Sequence, residues 1–295
     1  MMSYVITCCS TADRSKEFFD SRNIGYACFH YHIGQEEFED DLGQSVTFDE
    51  FYEKIRQGAE PETSQVNAEQ FEELWEPSLE QGKDILHVTL SSGISGVLNS
   101  ANIAKVEMEE RYPDRKIYVV DSLGASAGYG MFMEYLADKR DAGEGITELY
   151  EWAMQNRLRV QSWFFSTDLT SYVRGGRISA ASGFLGNALN ICPLLNINRE
   201  GKLIPRTKIR TKKKVIRELV KRMEEHAENG TAYDGKCAIS HSDCLEDALK
   251  VKELIEEIFP KLKDKVTIDS VGTVIGSHTG PGTVALFFMG DERED

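Results

Sequence analysis

The stretch that most limits this chain is an apolar strand running into a loop of small hydroxyl and glycine residues. Leu86, Val88 and Leu90 alternate within residues 85–90, which reads as a buried strand. Ser91-Ser92-Gly93-Ile94-Ser95-Gly96 follows, then Val97, Leu98, Ala101, Ala104 and Val106 at helical spacing over residues 97–106. A strand, a tight small-residue turn and a helix make one unit of an open α/β sheet. The turn lies at the carboxyl end of the strand, where ligands of such sheets dock. Hydroxyls and helix-start N–H groups there suit an anion or a carboxylate. The same serines could instead only cap the helix.

The preceding residues use the same pattern. Residues 4–8 read as strand, 9–13 as a polar turn, 14–21 as helix and 25–32 as an aromatic-rich strand, which predicts a parallel sheet. The acidic segment 35–44 reads as an exposed loop. Thr47 and Glu50 have capping-box spacing before a helix with Phe48, Phe51, Tyr52 and Ile55 on its apolar face. The polar loop 61–66 offers Thr63 as a second hydroxyl donor, or else Thr63, Ser64 or Asn67 caps the helix at 67–81. A strand at 116–120 ends in Asp121-Ser122, then Gly124, Gly128 and Gly130. That glycine spacing is not the dinucleotide G-x-G-x-x-G, and close helix packing explains it better.

At 295 residues, two domains are expected, 1–166 and 167–295, with the boundary after the strand at 159–166. The glycine pair Gly175-Gly176 lies between Arg174 and Arg177: a basic contact for an anion or partner, or a plain turn. Residues 180–190 read as a small-residue helix. Residues 191–197 and 202–206 flank a turn signal at 198–201, predicting antiparallel pairing, with Pro193 away from a fully paired position. The basic stretch 207–214 opens a helix reaching residue 228 and reads as a solvated helix start and face. His241-Ser242-Asp243 is no triad, since triad groups converge in space and not in sequence; Ser242 or Asp243 is expected to cap the helix at 245–259. Strands at 266–271 and 284–289 flank a glycine–threonine loop, 272–282, that carries His278.

The formal net charge of −15 argues against nucleic acid and anionic membrane surfaces as partners. The six cysteines are scattered without a CxxC pair, so reduced thiols and no structural zinc are expected. No run is long enough to span a bilayer, and the first residues already read as strand; the expected location is cytoplasmic.

Several short motifs together resemble the DegV family of fatty-acid-binding proteins, which includes the acyl-carrying subunits of bacterial fatty acid kinase. They are Thr63-Ser64-Gln65; Ser91 to Gly96 with Asn99-Ser100-Ala101; Asp121-Ser122 with Gly128 and Gly130; Gly175-Gly176-Arg177-Ile178-Ser179; Pro193-Leu194-Leu195; and Ile275-Gly276 with His278-Thr279-Gly280-Pro281-Gly282. They run in the family's order across nearly the whole chain. Two positions depart from it. Cys9 stands where the family has Asp before Ser10-Thr11, and Val97-Leu98 stands where it has Thr-Tyr. The second change bears on the tunnel wall and so on chain preference.

The resemblance implies an N-terminal α/β domain with a mostly parallel sheet flanked by helices and a C-terminal α/β domain with antiparallel strands. A long-chain fatty acid would lie between them. Its carboxylate would be held by the hydroxyls of Thr63 and Ser95, with Ser92, Gly93 and Gly96 supplying loop donors and Ser122, His278 and Thr279 completing the site. Arg174 and Arg177 would face a partner kinase that phosphorylates the bound acid. No cofactor is implied, and no Walker loop or kinase motif set is present, so a non-catalytic carrier is expected. One alternative is a hydrolase or transferase with Ser95 or Ser92 as nucleophile and His278 as base, although the G-x-S-x-G elbow and an acidic third member are missing. A polar small-molecule sensor is the other.

Overall fold

The computed structural model describes residues 3–182 and 191–295. Its strands in chain order are β1 (Tyr4–Cys9), β2 (Ile24–Ala27), β3 (His30–Ile33), β4 (Glu36–Glu39), β5 (Glu62–Ser64), β6 (Asp84–Thr89), β7 (Ile117–Asp121), β8 (Val160–Ser166), β9 (Ile191–Ile197), β10 (Leu203–Arg210), β11 (Cys237–His241), β12 (Thr267–Ser270) and β13 (Thr283–Met289). The α-helices are α1 (Lys16–Ser21), α2 (Phe48–Arg56), α3 (Ala68–Glu80), α4 (Val97–Arg111), α5 (Ser126–Asp141), α6 (Ile146–Asn156), α7 (Thr170–Arg174), α8 (Lys212–His226), α9 (Leu245–Ile258) and α10 (Thr273–Thr279).

The N-terminal sheet has the order β2-β1-β6-β7 and is parallel throughout. β1 and β6 are buried along nearly their whole length, as strands covered by helices on both faces must be. The second sheet has the order β10-β9-β8-β13-β11-β12; its pairings are antiparallel except β11 with β12. β8 and β13 are fully buried, while β10 alternates in exposure as an edge strand does. One contiguous hydrophobic core joins the two sheets. The chain passes from the first sheet to the second between Asp121 and Val160, so the strand at 160–166 lies in the second sheet, not in the first unit where the sequence reading put it.

The capping boxes at Thr47–Glu50 and Asn67–Gln70 both form. Asn67, not Thr63 or Ser64, therefore caps α3, and Thr63 is left to β5. The 198–201 turn joins antiparallel β9 and β10, and Pro193 lies outside the three positions at which β9 pairs with β8. Four readings are corrected. The aromatic stretch at 25–32 divides into β2 and β3, and β3 belongs to a third, antiparallel sheet, β4-β3-β5. Part of the acidic segment at 35–44 is β4; Phe38 stacks on Tyr31 with ring centroids 5.1 Å apart, which holds an otherwise charged strand in place. Residues 273–279 form α10 rather than a loop. Neither Ser242 nor Asp243 caps α9: its N-cap is Cys244, without a side-chain cap bond, and Ser242 Oγ instead accepts from the backbone N–H of Thr283 at 2.9 Å. The small-residue helix expected at 180–190 lies mostly outside the described residues; Ala180–Ser182 is a single 3₁₀ turn.

Candidate functional site

A cavity opens off the carboxyl ends of β6 and β7, against the inner face of the second sheet, with about 730 Å³ of empty space that includes open solvent at its mouth. Leu90, Ile94, Phe164, Ile197, Val274 and Phe287 are among its apolar walls. Thr63, Ser95, Arg177 and His278 line the same space, so the turns at the ends of β5, β6, α7 and α10 meet there.

These four residues define a polar corner. His278 sits in the last turn of α10 with Nε2 2.8 Å from Thr63 Oγ1 and Nδ1 3.3 Å from Arg177 Nη1. A guanidinium nitrogen can only donate, so Nδ1 accepts and the neutral ring carries its proton on Nε2. Nε2–H then donates to Thr63 Oγ1, and the Thr63 hydroxyl hydrogen is left to point elsewhere. Burial, reinforced by the charges of Arg177 and Arg174, pushes His278 down to about 3, which keeps the imidazole neutral. The helix C-terminus, which would favour a charged imidazole, is outweighed. Gly175 makes the arrangement possible: a Cβ there would come 2.2 Å from His278 Nδ1. Arg177 is tied inward by Nη1 to Gly175 O at 2.6 Å and Nε to Ile94 O at 3.2 Å.

Ser95 Oγ accepts from Val97 N–H at 3.2 Å and donates to Gln65 Oε1 at 3.4 Å. Ser95 is not the N-cap of α4, which is Gly96 without a side-chain cap bond, but its hydroxyl takes up the first N–H of the helix while it also lines the cavity. Thr279 lines the cavity too, with a buried Oγ1 that has no partner among the described residues.

Other expected residues lie elsewhere. Ser92, Gly93 and Gly96 line an outer cleft that adjoins the mouth and shares Ile94, Ser95 and Arg177 with the cavity. Most loop N–H groups are already used: Ser92 donates to Asp121 Oδ1, Gly93 to Ser91 Oγ, and Ile94 and Ser95 to Ser91 O. Among the described residues only the Gly96 N–H of that loop has no acceptor. Ser122 is outside the cavity; its Oγ accepts from Gly124 N–H at 3.1 Å and closes its own turn. Ser126, four residues on, lines the cavity instead. Arg174 is at the surface, 3.0 Å from Glu60, whereas Arg177, expected to face a partner, points inward. Cys9, in the family's Asp position, is buried away from the cavity, and burial pushes its thiol up to about 12. Besides Ser126, three polar cavity residues had no role in the sequence reading: Tyr172, whose hydroxyl lies 3.0 Å from Thr283 Oγ1, with Thr283 itself, and Ser240.

All six cysteines are free. Among the described residues, no group of acidic, histidine and cysteine side chains could hold a metal, and no helix is long and apolar enough to cross a membrane.

Fold and cavity together define an α/β protein with a largely apolar pocket that is polar at one corner. The DegV family model, for a family described as uncharacterised, matches residues 4–291. A DegV domain-containing protein of Clostridium perfringens is 38% identical over 294 residues, covering 100% of each chain. This chain belongs to the DegV family. A DegV lipid-binding protein from Thermotoga maritima superposes with a TM-score of 0.83 at 27% identity, covering 99% of this chain and 100% of that one. A fatty-acid-binding DegV family protein from Streptococcus agalactiae does so with a TM-score of 0.84 at 26% identity, with the same coverage.

Proposed function

We propose that this protein binds a long-chain fatty acid in the cavity, with the carboxylate at the polar corner, and presents it to a separate kinase that converts it to an acyl phosphate. The observation that carries the reading is the chain Arg177–His278–Thr63, which leaves a hydroxyl donor at the edge of an apolar cavity. Thr63 and Thr279 would donate to the carboxylate, as would Ser95 once its hydrogen leaves Gln65 Oε1, and Arg177 would add positive charge one step removed, without a fully buried ion pair and its desolvation cost. The acyl chain would supply most of the affinity, at about 0.8 kcal/mol per buried CH₂. The outer cleft beside Gly96 and Gly176 gives a partner a route to the carboxylate. The binding of lipid or fatty acid by two relatives supports this reading.

The serine-enzyme alternative conflicts with the geometry. In a triad the nucleophilic serine bonds the histidine, and an acidic group accepts from the far ring nitrogen. Here Ser95 bonds Gln65, Thr63 holds His278 Nε2, and an arginine donates to Nδ1, so the histidine is polarised the wrong way for a base. Two measurements test the proposal. Mass spectrometry of a solvent extract of the purified protein should reveal a bound acyl chain; no acyl chain and no uptake of added fatty acid would refute it. A fluorophosphonate probe should leave Ser95 unlabelled, and covalent labelling there would revive the enzyme.

A further inference from the structure

Ser126 and Ser240 also line the cavity, both buried, and neither is hydrogen-bonded to Thr63, Ser95, Arg177 or His278. Ser240 on β11 pairs with Ala285 on β13, two residues along from Thr283, so the serines lie one strand step beyond the Thr283–Tyr172 contact. Behind them, outside the cavity lining, is the Asp13 carboxyl. Ser126 Oγ is 2.5 Å from Asp13 Oδ2 and 3.1 Å from Ser240 Oγ. Three oxygens thus stand in a row, and the last of them faces a cavity with largely apolar walls.

The count of hydrogens decides what the row can do. Without a proton on Asp13, Ser126 donates to the carboxylate and Ser240 donates to Ser126, so Ser240 offers the cavity its oxygen as an acceptor. With a proton on Asp13, the carboxyl donates to Ser126 and Ser126 donates to Ser240. The Ser240 hydroxyl hydrogen then has no acceptor among the described residues, because Ser126 is the one hydrogen-bond partner of that side chain. Burial, with the Asp40 carboxyl close by, pushes Asp13 well above the usual carboxylate range and favours this polarity. An all-hydrocarbon ligand leaves that donor unused. A ligand oxygen at that depth satisfies it, and without such a donor the oxygen would lose its water partners uncompensated.

We propose that the Asp13–Ser126–Ser240 row reads an oxygen substituent in the interior of the acyl chain, so that the natural ligand class includes monohydroxy long-chain fatty acids, with Ser240 hydrogen-bonded to a ligand hydroxyl that can accept or donate. This inference rests on the fatty-acid reading above. The test titrates delipidated protein with stearate and with monohydroxystearates that differ in hydroxyl position, in wild type and in Ser240→Ala. For one hydroxyl position, the affinity relative to stearate should fall by about tenfold in the variant. An unchanged ratio at every position overturns the inference. If the variant does not fold, wild type alone decides: one position bound more tightly than its neighbours supports the inference, and equal rejection of all positions overturns it. Wild type that binds stearate and no hydroxystearate overturns this inference and leaves the fatty-acid reading standing. Binding of neither overturns both.

Discussion

Replacing Thr63 by Val keeps the shape and β-branching of a strand residue and removes one oxygen. In the structure that oxygen accepts from His278 Nε2–H and leaves its own hydrogen to point away from the ring. The variant should therefore lose a donor to the carboxylate and leave the imidazole N–H unpaired. A hydrogen bond to a charged group is worth about 1.5–3 kcal/mol, so fatty-acid binding should weaken about 10- to 100-fold. The methyl ester of the same acid has a neutral head, for which the bond is worth about 0.5–1.5 kcal/mol, and its binding should weaken only about 2- to 10-fold. Calorimetric titration of delipidated wild type and Thr63→Val with both ligands separates head recognition from a general loosening of the pocket. Equal losses on acid and ester, or no loss on the acid, would refute the assignment of Thr63 to the carboxylate.

Three further outcomes are expected. In Arg177→Met the His278 pKa should rise, because one of the two nearby cations that disfavour its protonation is gone; nitrogen-resolved NMR should also find the neutral wild-type ring protonated on Nε2, and protonation on Nδ1 would contradict the relay. His87 and His278 are both pushed down to about 3 by burial, so the unfolded chain takes up their protons first as pH falls from about 6.5 towards 3. Stability from these groups is complete above that window and declines within it, by up to about 1.4 kcal/mol per pH unit for each histidine; His278→Gln should flatten the dependence of urea unfolding on pH, and an unaltered slope would count against the neutral buried ring. A Cβ at Gly128 would lie 2.3 Å from Phe287 Cδ1. Since Phe287 lines the cavity, Gly128→Ala should cost about 1–3 kcal/mol and shift preference toward shorter acyl chains, read by thermal unfolding and a chain-length series; wild-type behaviour in both would show that the ring moves freely.

The parts of the site legible in the sequence were those set by local chemistry. The alternation at 85–90 and the small residues after it placed Ser95 beyond a strand end, and the Thr47–Glu50 box marked one helix start, whereas Asn67 was one of three candidates for the next. What sequence could not give was direction across the fold. Ser122 follows β7 and Ser126 opens α5 only four residues later, yet the first closes its own turn and the second, at a φ of 53°, faces the cavity. Arg177 reads as a surface charge beside glycines; only the approach of α10 to Gly175 turns it toward His278. Ser240 joins the wall because β11 pairs with β13, a contact that local patterning does not specify. Residues 273–279 look like a loop because of their glycine and threonine content, and they become helical once packed beneath α7 and α2.

The account rests on where the acid head of the ligand goes. A crystal structure of the protein loaded with stearate should place one carboxylate oxygen within hydrogen-bond distance of Thr63 Oγ1 and the other within reach of Ser95 Oγ, with the chain running past Phe164 toward Phe287. A carboxylate at Ser126 and Ser240 with the chain end beside His278, or density outside this cavity altogether, would contradict it.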